Sequence, residues 1–207
     1  MLEARQNWFV VAFFRWYTRL KLKRNFHKVQ IKSAFEEKNL PVLVLSNHVS
    51  WWDGFWVNYL NQQIFRRKFY FMMLEEQLRK FSFFRNTGGF SVKKGSRSAV
   101  ESLRYASKLL SDNQNMVLMF PQGEIRSMHQ QEIVFEKGLE IILKMTENPV
   151  QIVFVANLTD YFSQPKPLLH IYAEEYTGSG FDLAGLQSAY QYFYDRCLAE
   201  NIKIKPE

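Results

Sequence analysis

A chain of 207 residues with 47% apolar side chains is long enough to bury one sizeable core, and one domain is the expected count. Charged residues at 23%, with nine Gly and six Pro, exclude the disordered and collagen-like classes. The single cysteine, Cys197, can close no internal disulfide, and the four histidines lie too far apart in sequence for metal-ligand spacing, so no metal is expected.

Taken in chain order, the first segment is the most unusual. Residues 1–32 hold eight basic side chains against Glu3 alone, whereas the other 175 residues balance at 19 of each sign. The apolar run Trp8 to Phe14 precedes most of these cations, so a helix here carries aromatic and basic surfaces together, the profile of an interfacial anchor. The run is far short of the ~20 residues that span a bilayer, and Arg15 interrupts it. A cleaved leader is not expected, because the basic cluster follows the apolar run and no small-residue site does. The alternative is an ordinary terminal helix with Trp8 and Phe9 packed on the core.

Short apolar runs bounded by turn formers or polar residues then predict strands at Lys28 to Lys32, Val42 to Leu45, Phe69 to Met73, Met116 to Phe120, Val150 to Val155 and Leu168 to Tyr172. Between them, Ser98 and Glu101 predict a capping box for a helix that turns Val100, Leu103, Ala106 and Leu110 inward. A second helix is predicted from Glu136 to about Thr146, and a last one after a cap at Asp182, with Leu186, Tyr190, Phe193 and Cys197 on one face. This alternation predicts an α/β fold, a mostly parallel sheet flanked by helices, preceded by the N-terminal helix. The expected boundaries are residues 1–25 for the membrane-associating helix and 26–207 for the domain.

Two polar clusters begin where a predicted strand stops, which is where open α/β sheets place ligands. After Val42 to Leu45 the chain reads Ser46-Asn47-His48-Val49-Ser50-Trp51-Trp52-Asp53. A carboxylate five residues after a histidine can stand behind the ring, accept its Nδ1 proton and leave Nε2 as a base toward a hydroxyl. No G-x-S-x-G elbow occurs, so the bound acceptor itself is expected to attack. After Met116 to Phe120 the chain reads Pro121-Gln122-Gly123-Glu124-Ile125-Arg126-Ser127. Such a turn lets backbone N–H groups approach an oxyanion or phosphate, which Arg126 can grip with two parallel bonds.

With these residues in place, the chain resembles the glycerolipid acyltransferase family that includes the lysophosphatidic acid acyltransferases. Asn47-His48 through Asp53 matches the N-H-x-x-x-x-D block, and Phe120 to Ser127 is similar to F-P-E-G-T-R-S. Gly88 to Lys94, and Phe135 to Gly138 with the strand Val150 to Val155, resemble the family's remaining blocks, in order, over residues 26–156. The resemblance implies His48 as general base, Asp53 as its orienter, and Asn47, Gly89, Lys94, Gln122, Gly123 and Arg126 as substrate-binding positions. It implies acyl-CoA or an acyl carrier protein as co-substrate, no further cofactor, and a lysophospholipid acceptor such as 1-acylglycerol-3-phosphate. Four departures bear on the acceptor: Gln122 stands for the family's Glu, the second block carries Glu124 and Ile125 where one Thr is usual, Glu75-Glu76 occupy a region that is often Lys-rich, and the fourth region has Ile152 near the place of its usual mid-strand proline.

A P-loop is excluded by the absence of its spacing. Nucleic-acid binding fits the aromatic and basic composition but not the charge distribution, which leaves the body neutral. A non-catalytic lipid-binding relative, or an enzyme acting on a lyso-amino-lipid or glycolipid, are the other readings. The expected setting is peripheral or monotopic, on the anionic cytoplasmic face of a membrane.

Overall fold

The computed structural model describes residues 1–178, 180 and 182–205. The elements are α1 (Trp8–Asn25), β1 (Lys28–Ala34), β2 (Val42–Ser46), α2 (Asp53–Gln63), β3 (Lys68–Leu74), α3 (Glu75–Lys80), a 3-10 turn (Ser82–Asn86), β4 (Gly89–Val92), α4 (Ser98–Leu109), β5 (Asn115–Met119), α5 (Gly138–Met145), β6 (Gln151–Asp160), β7 (Leu168–Glu175) and α6 (Leu183–Ile202). Seven strands form one sheet in the order β1-β7-β6-β2-β5-β3-β4. Every neighbouring pair is parallel except β6 with β7, so β1 and β7 run against the other five. The fold is therefore α/β with a mostly parallel sheet.

The central strands β2 and β5 are buried along their whole length, as continuous apolar runs covered on both faces must be. On one face, Leu43, Leu45, Val117 and Phe154 pack with α4, α5 and α6. On the other, Val42, Val44, Met116 and Val153 pack with α1 and α2 through Leu22, Trp56 and Leu60. All six predicted strands are present, and β4 falls in Gly88 to Lys94, where the family resemblance alone implied a strand after a glycine; α2, α3 and the 3-10 turn were not among the predicted elements.

Asp182 caps α6, accepting from Gly185 N at 2.8 Å, as expected. The capping box at Ser98 does not form. A turn that closes between Lys93 and Ser96 starts α4 one residue early, so Arg97 takes the cap position without a side-chain bond and Ser98 Oγ meets Ser96 Oγ instead. Val100, expected inside, is exposed at 42% and faces the groove described below.

The N-terminus is tied down before α1 begins. Leu2 brackets Ser91 of β4 with two hydrogen bonds, and Gln6 bridges Thr87, so the first residues cover the sheet edge. Asn7 then caps α1 by accepting from Phe9 N and Val10 N. Thr18 and Leu22 of α1 are buried, whereas Trp8 and Phe9 are 68% and 67% exposed, which corrects the alternative of a helix packed through Trp8 and Phe9. No helix of the described residues is long and apolar enough to cross a membrane.

Candidate active site

The site stands at the carboxyl ends of β2, β5, β3 and β4. The chain leaves β2 at Ser46, and Asn47 immediately locks its exit: its amide oxygen accepts from Asn157 N at 2.8 Å and its Nδ2 donates to Asn157 O at 3.0 Å. Both ends of this buried amide are committed to β6. Asn47 therefore clamps two strands, and does not line the groove as its expected substrate-binding role requires.

His48, next in line, is held on three sides. Its Nδ1 lies 2.9 Å from Asp53 Oδ2. Its ring stacks flat on Phe120, centroids 3.8 Å apart and planes within 9°. Its backbone N–H donates to Gln122 Oε1 at 2.8 Å, and its carbonyl accepts from Arg126 N at 2.8 Å. The two motif blocks are thus stitched together through the backbone of the histidine. Nε2 has no hydrogen-bond partner among the described residues, and His48 lines the groove.

Asp53 opens α2, where the helix dipole favours a negative charge. Its Oδ2 also accepts from Val49 N and Ser50 N, at 2.7 and 2.8 Å. Complete burial pushes the Asp53 carboxyl up from its ordinary range, opposed by the bond to His48 and by the two amides. Its Oδ1 is buried without a partner among the described residues.

The turn after β5 brings the remaining candidates to the groove mouth. Gly123 adopts φ +71°, a left-handed conformation that favours glycine, and a Cβ there would stand 2.7 Å from Lys94 Nζ and 3.0 Å from Glu136 Cγ, so a side chain would also displace that pair. Lys94 Nζ lies 3.2 Å from Glu136 Oε1, and Arg126 is ion-paired with Glu124; all four side chains are half exposed. Lys94, Gly123, Glu124 and Glu136 line the groove, and Arg126 sits just beyond it. Gln122 is buried with its oxygen on the His48 amide, a backing contact rather than a substrate contact. Gly89 also lies behind the wall: a Cβ there would press on Phe84 O at 2.8 Å, so its role is close packing. Glu75 and Glu76 do not line the groove, and the Arg79 guanidinium beside Glu75 holds that carboxyl low.

The groove measures about 960 Å³ and is mostly apolar. It wraps β3 and the edge strand β4, with Phe14, Phe55, Phe71 and Phe84 on one side and Met72, Leu103, Leu139 and Ile141 on the other. These wall residues were missed from sequence, where the only signal was the 16% aromatic content. An imidazole over an apolar groove, with two Lys/Arg–Glu pairs at its mouth, has the chemistry to take a proton from an amphiphile's hydroxyl. A family model, Acyltransferase, matches residues 23–156. No curated protein matches the chain.

Proposed function

The chain belongs to the Acyltransferase family, and from that premise we propose that it moves a fatty acyl group from acyl-CoA or an acyl carrier protein thioester to the hydroxyl of a lysophospholipid, with His48 as general base. The observation that carries this reading is the His48–Asp53 pair at 2.9 Å, its Nε2 turned to a groove of about 960 Å³. Nε2 takes the hydroxyl proton as the acceptor oxygen bonds to the thioester carbonyl carbon. The tetrahedral adduct then collapses with cleavage of the C–S bond, and the imidazolium returns the proton to the departing thiolate. Asp53 steadies the imidazolium and fixes the tautomer.

The family resemblance favours 1-acylglycerol-3-phosphate as acceptor, its phosphate read by Lys94 and Arg126. A second reading, a lyso-lipid that carries an amine, is favoured by one observation: Glu136 and Glu124 accompany those two cations, leaving the mouth without net charge. The test compares lysophosphatidate with an amine-bearing lyso-lipid in wild type and in Arg126→Ala. If the phosphate is the handle, the variant loses lysophosphatidate selectively, by about tenfold or more in kcat/KM. Equal loss on both acceptors makes Arg126 structural, and a wild type that prefers the amine establishes the second reading.

The membrane is the proposed partner, its anionic cytoplasmic leaflet the proposed location. At about 100° per residue, Phe9, Phe13, Trp16 and Leu20 share one stripe of α1, opposite the stripe of Phe14, Thr18 and Leu22 that meets the body. The helix has five basic and no acidic residues, and none of the five is in an ion pair among the described residues. Exposed aromatics flanked by free cations suit an anionic bilayer surface.

A further inference from the structure

A second cavity, of about 200 Å³, lies between α1, α2 and the turn that joins β6 to β7. Phe55 lines both this cavity and the groove. Its α1 wall is a single helix face, with Thr18, Lys21 and Asn25 spaced three and four apart. Facing these are the rings of Trp52 and Tyr161.

Three polar features converge there. Lys21 is the sole charged residue of the lining, and its ammonium rests 5.4 Å and 5.9 Å from the ring centroids of Tyr17 and Trp52, with no carboxylate in ion-pair reach among the described residues. Thr18 is 1% exposed, yet its hydroxyl has no hydrogen-bond partner among the described residues. A helical threonine ordinarily bonds the carbonyl one turn back, so a donor without a partner at a cavity wall is unusual. Asn25, in the last turn of α1, adds a neutral amide.

A cation and a hydroxyl donor in a concave, aromatic-walled space with no negative charge fit a phosphate ester. The cavity is small, so it accommodates a headgroup and not a chain. We propose that this cavity holds the phosphate of one bilayer phospholipid, fixing the rotation of α1 on the membrane; this rests on the membrane reading above. The bound lipid is then distinct from donor and acceptor, and its chains stay in the bilayer beside the outward stripe of α1.

The test uses full-length protein and dihexanoyl-phosphatidylglycerol held below its micelle concentration, with inorganic phosphate and a phosphate-free monohexanoyl glycerol as parallel probes. Binding is read by calorimetry and by tryptophan emission. Wild type should bind the phospholipid saturably and should not bind the phosphate-free glyceride. Lys21→Gln should weaken that binding about tenfold, the loss of one charge-assisted contact, whereas Lys23→Gln, outside the cavity on the same helix, should leave it within about twofold. Thr18→Val, which keeps the shape, should weaken it as well. Equal weakening by Lys21→Gln and Lys23→Gln would mean diffuse attraction only, and equal affinity for inorganic phosphate would mean a soluble-anion site; either overturns the proposal. Absent monomer binding with vesicle binding retained overturns the cavity assignment alone, and loss of both overturns the membrane reading beneath it.

Discussion

Asp53 performs two tasks with one oxygen. Its Oδ2 receives the imidazole Nδ1 and the amides of Val49 and Ser50, so the carboxylate both shapes the turn and orients the His48 ring. Asp53→Asn keeps an acceptor for the amides but no longer enforces the tautomer or supports the imidazolium. The variant should fold with an unchanged melting curve and lose about 10⁴-fold in kcat with little change in KM, measured on matched preparations. Gln122 illustrates how a departure from the family pattern can be chemically conservative: its amide oxygen accepts from His48 N, as a glutamate oxygen in that place would. A different histidine tests stability. His170 on β7 is buried with neither ring nitrogen bonded among the described residues, and burial, helped by Lys32 and Lys28 against Asp160 and Glu200, depresses its pKa. The unfolded chain binds a proton below about pH 6.5 that the folded chain refuses, so stability falls as pH drops through that value toward the lower folded pKa. His170→Leu should flatten the melting-temperature slope between about pH 7 and 5; an unchanged slope would assign acid sensitivity to other groups.

Helix α1 carries apolar residues on two opposite faces, and this arrangement explains why its sequence could be read both as an anchor and as a core element. Phe14 packs flat on Phe83, centroids 5.2 Å apart, while Phe13 and Trp16 stay more than half exposed. Replacing Arg15, Arg19 and Lys23 together by Gln should leave the fold intact, because none is paired among the described residues. It should reduce partition onto anionic vesicles by about two orders of magnitude at low salt, ~1 kcal/mol per cation, with the difference shrinking as salt rises. Equal sedimentation of variant and wild type would contradict the surface role. The strands were legible because β2 and β5 are unbroken apolar runs covered on both faces. Helix α2 was not, although Trp56, Val57, Leu60 and Asn61 are buried at helical spacing: Trp52 and Phe55 add aromatic side chains on the cavity side and blur the stripe. Strand β4 is four residues long and begins with glycine, too short for a periodic signal.

At the level of the molecule, the same legibility divides the site in two. His48 and Asp53 are five residues apart, and their pairing is written in local spacing. The groove draws its walls from α1, α2, β3, β4, α4 and α5, and the Lys94–Glu136 pair joins residues 42 apart in sequence, so no local pattern could announce either. Phe14 belongs to the groove wall and to the helix whose outer face is proposed to meet lipid, so on that proposal an amphiphile would enter beside the membrane surface. The proposed mechanism requires His48 Nε2 to remove the acceptor's proton. The most direct measurement is single-turnover acyl transfer from an acyl thioester to a lyso-lipid hydroxyl, with purified wild type and His48→Ala compared after their melting curves are matched. His48→Ala should form no acylated lipid above the uncatalysed background; transfer at a near wild-type rate in that variant would rule out His48 as the base.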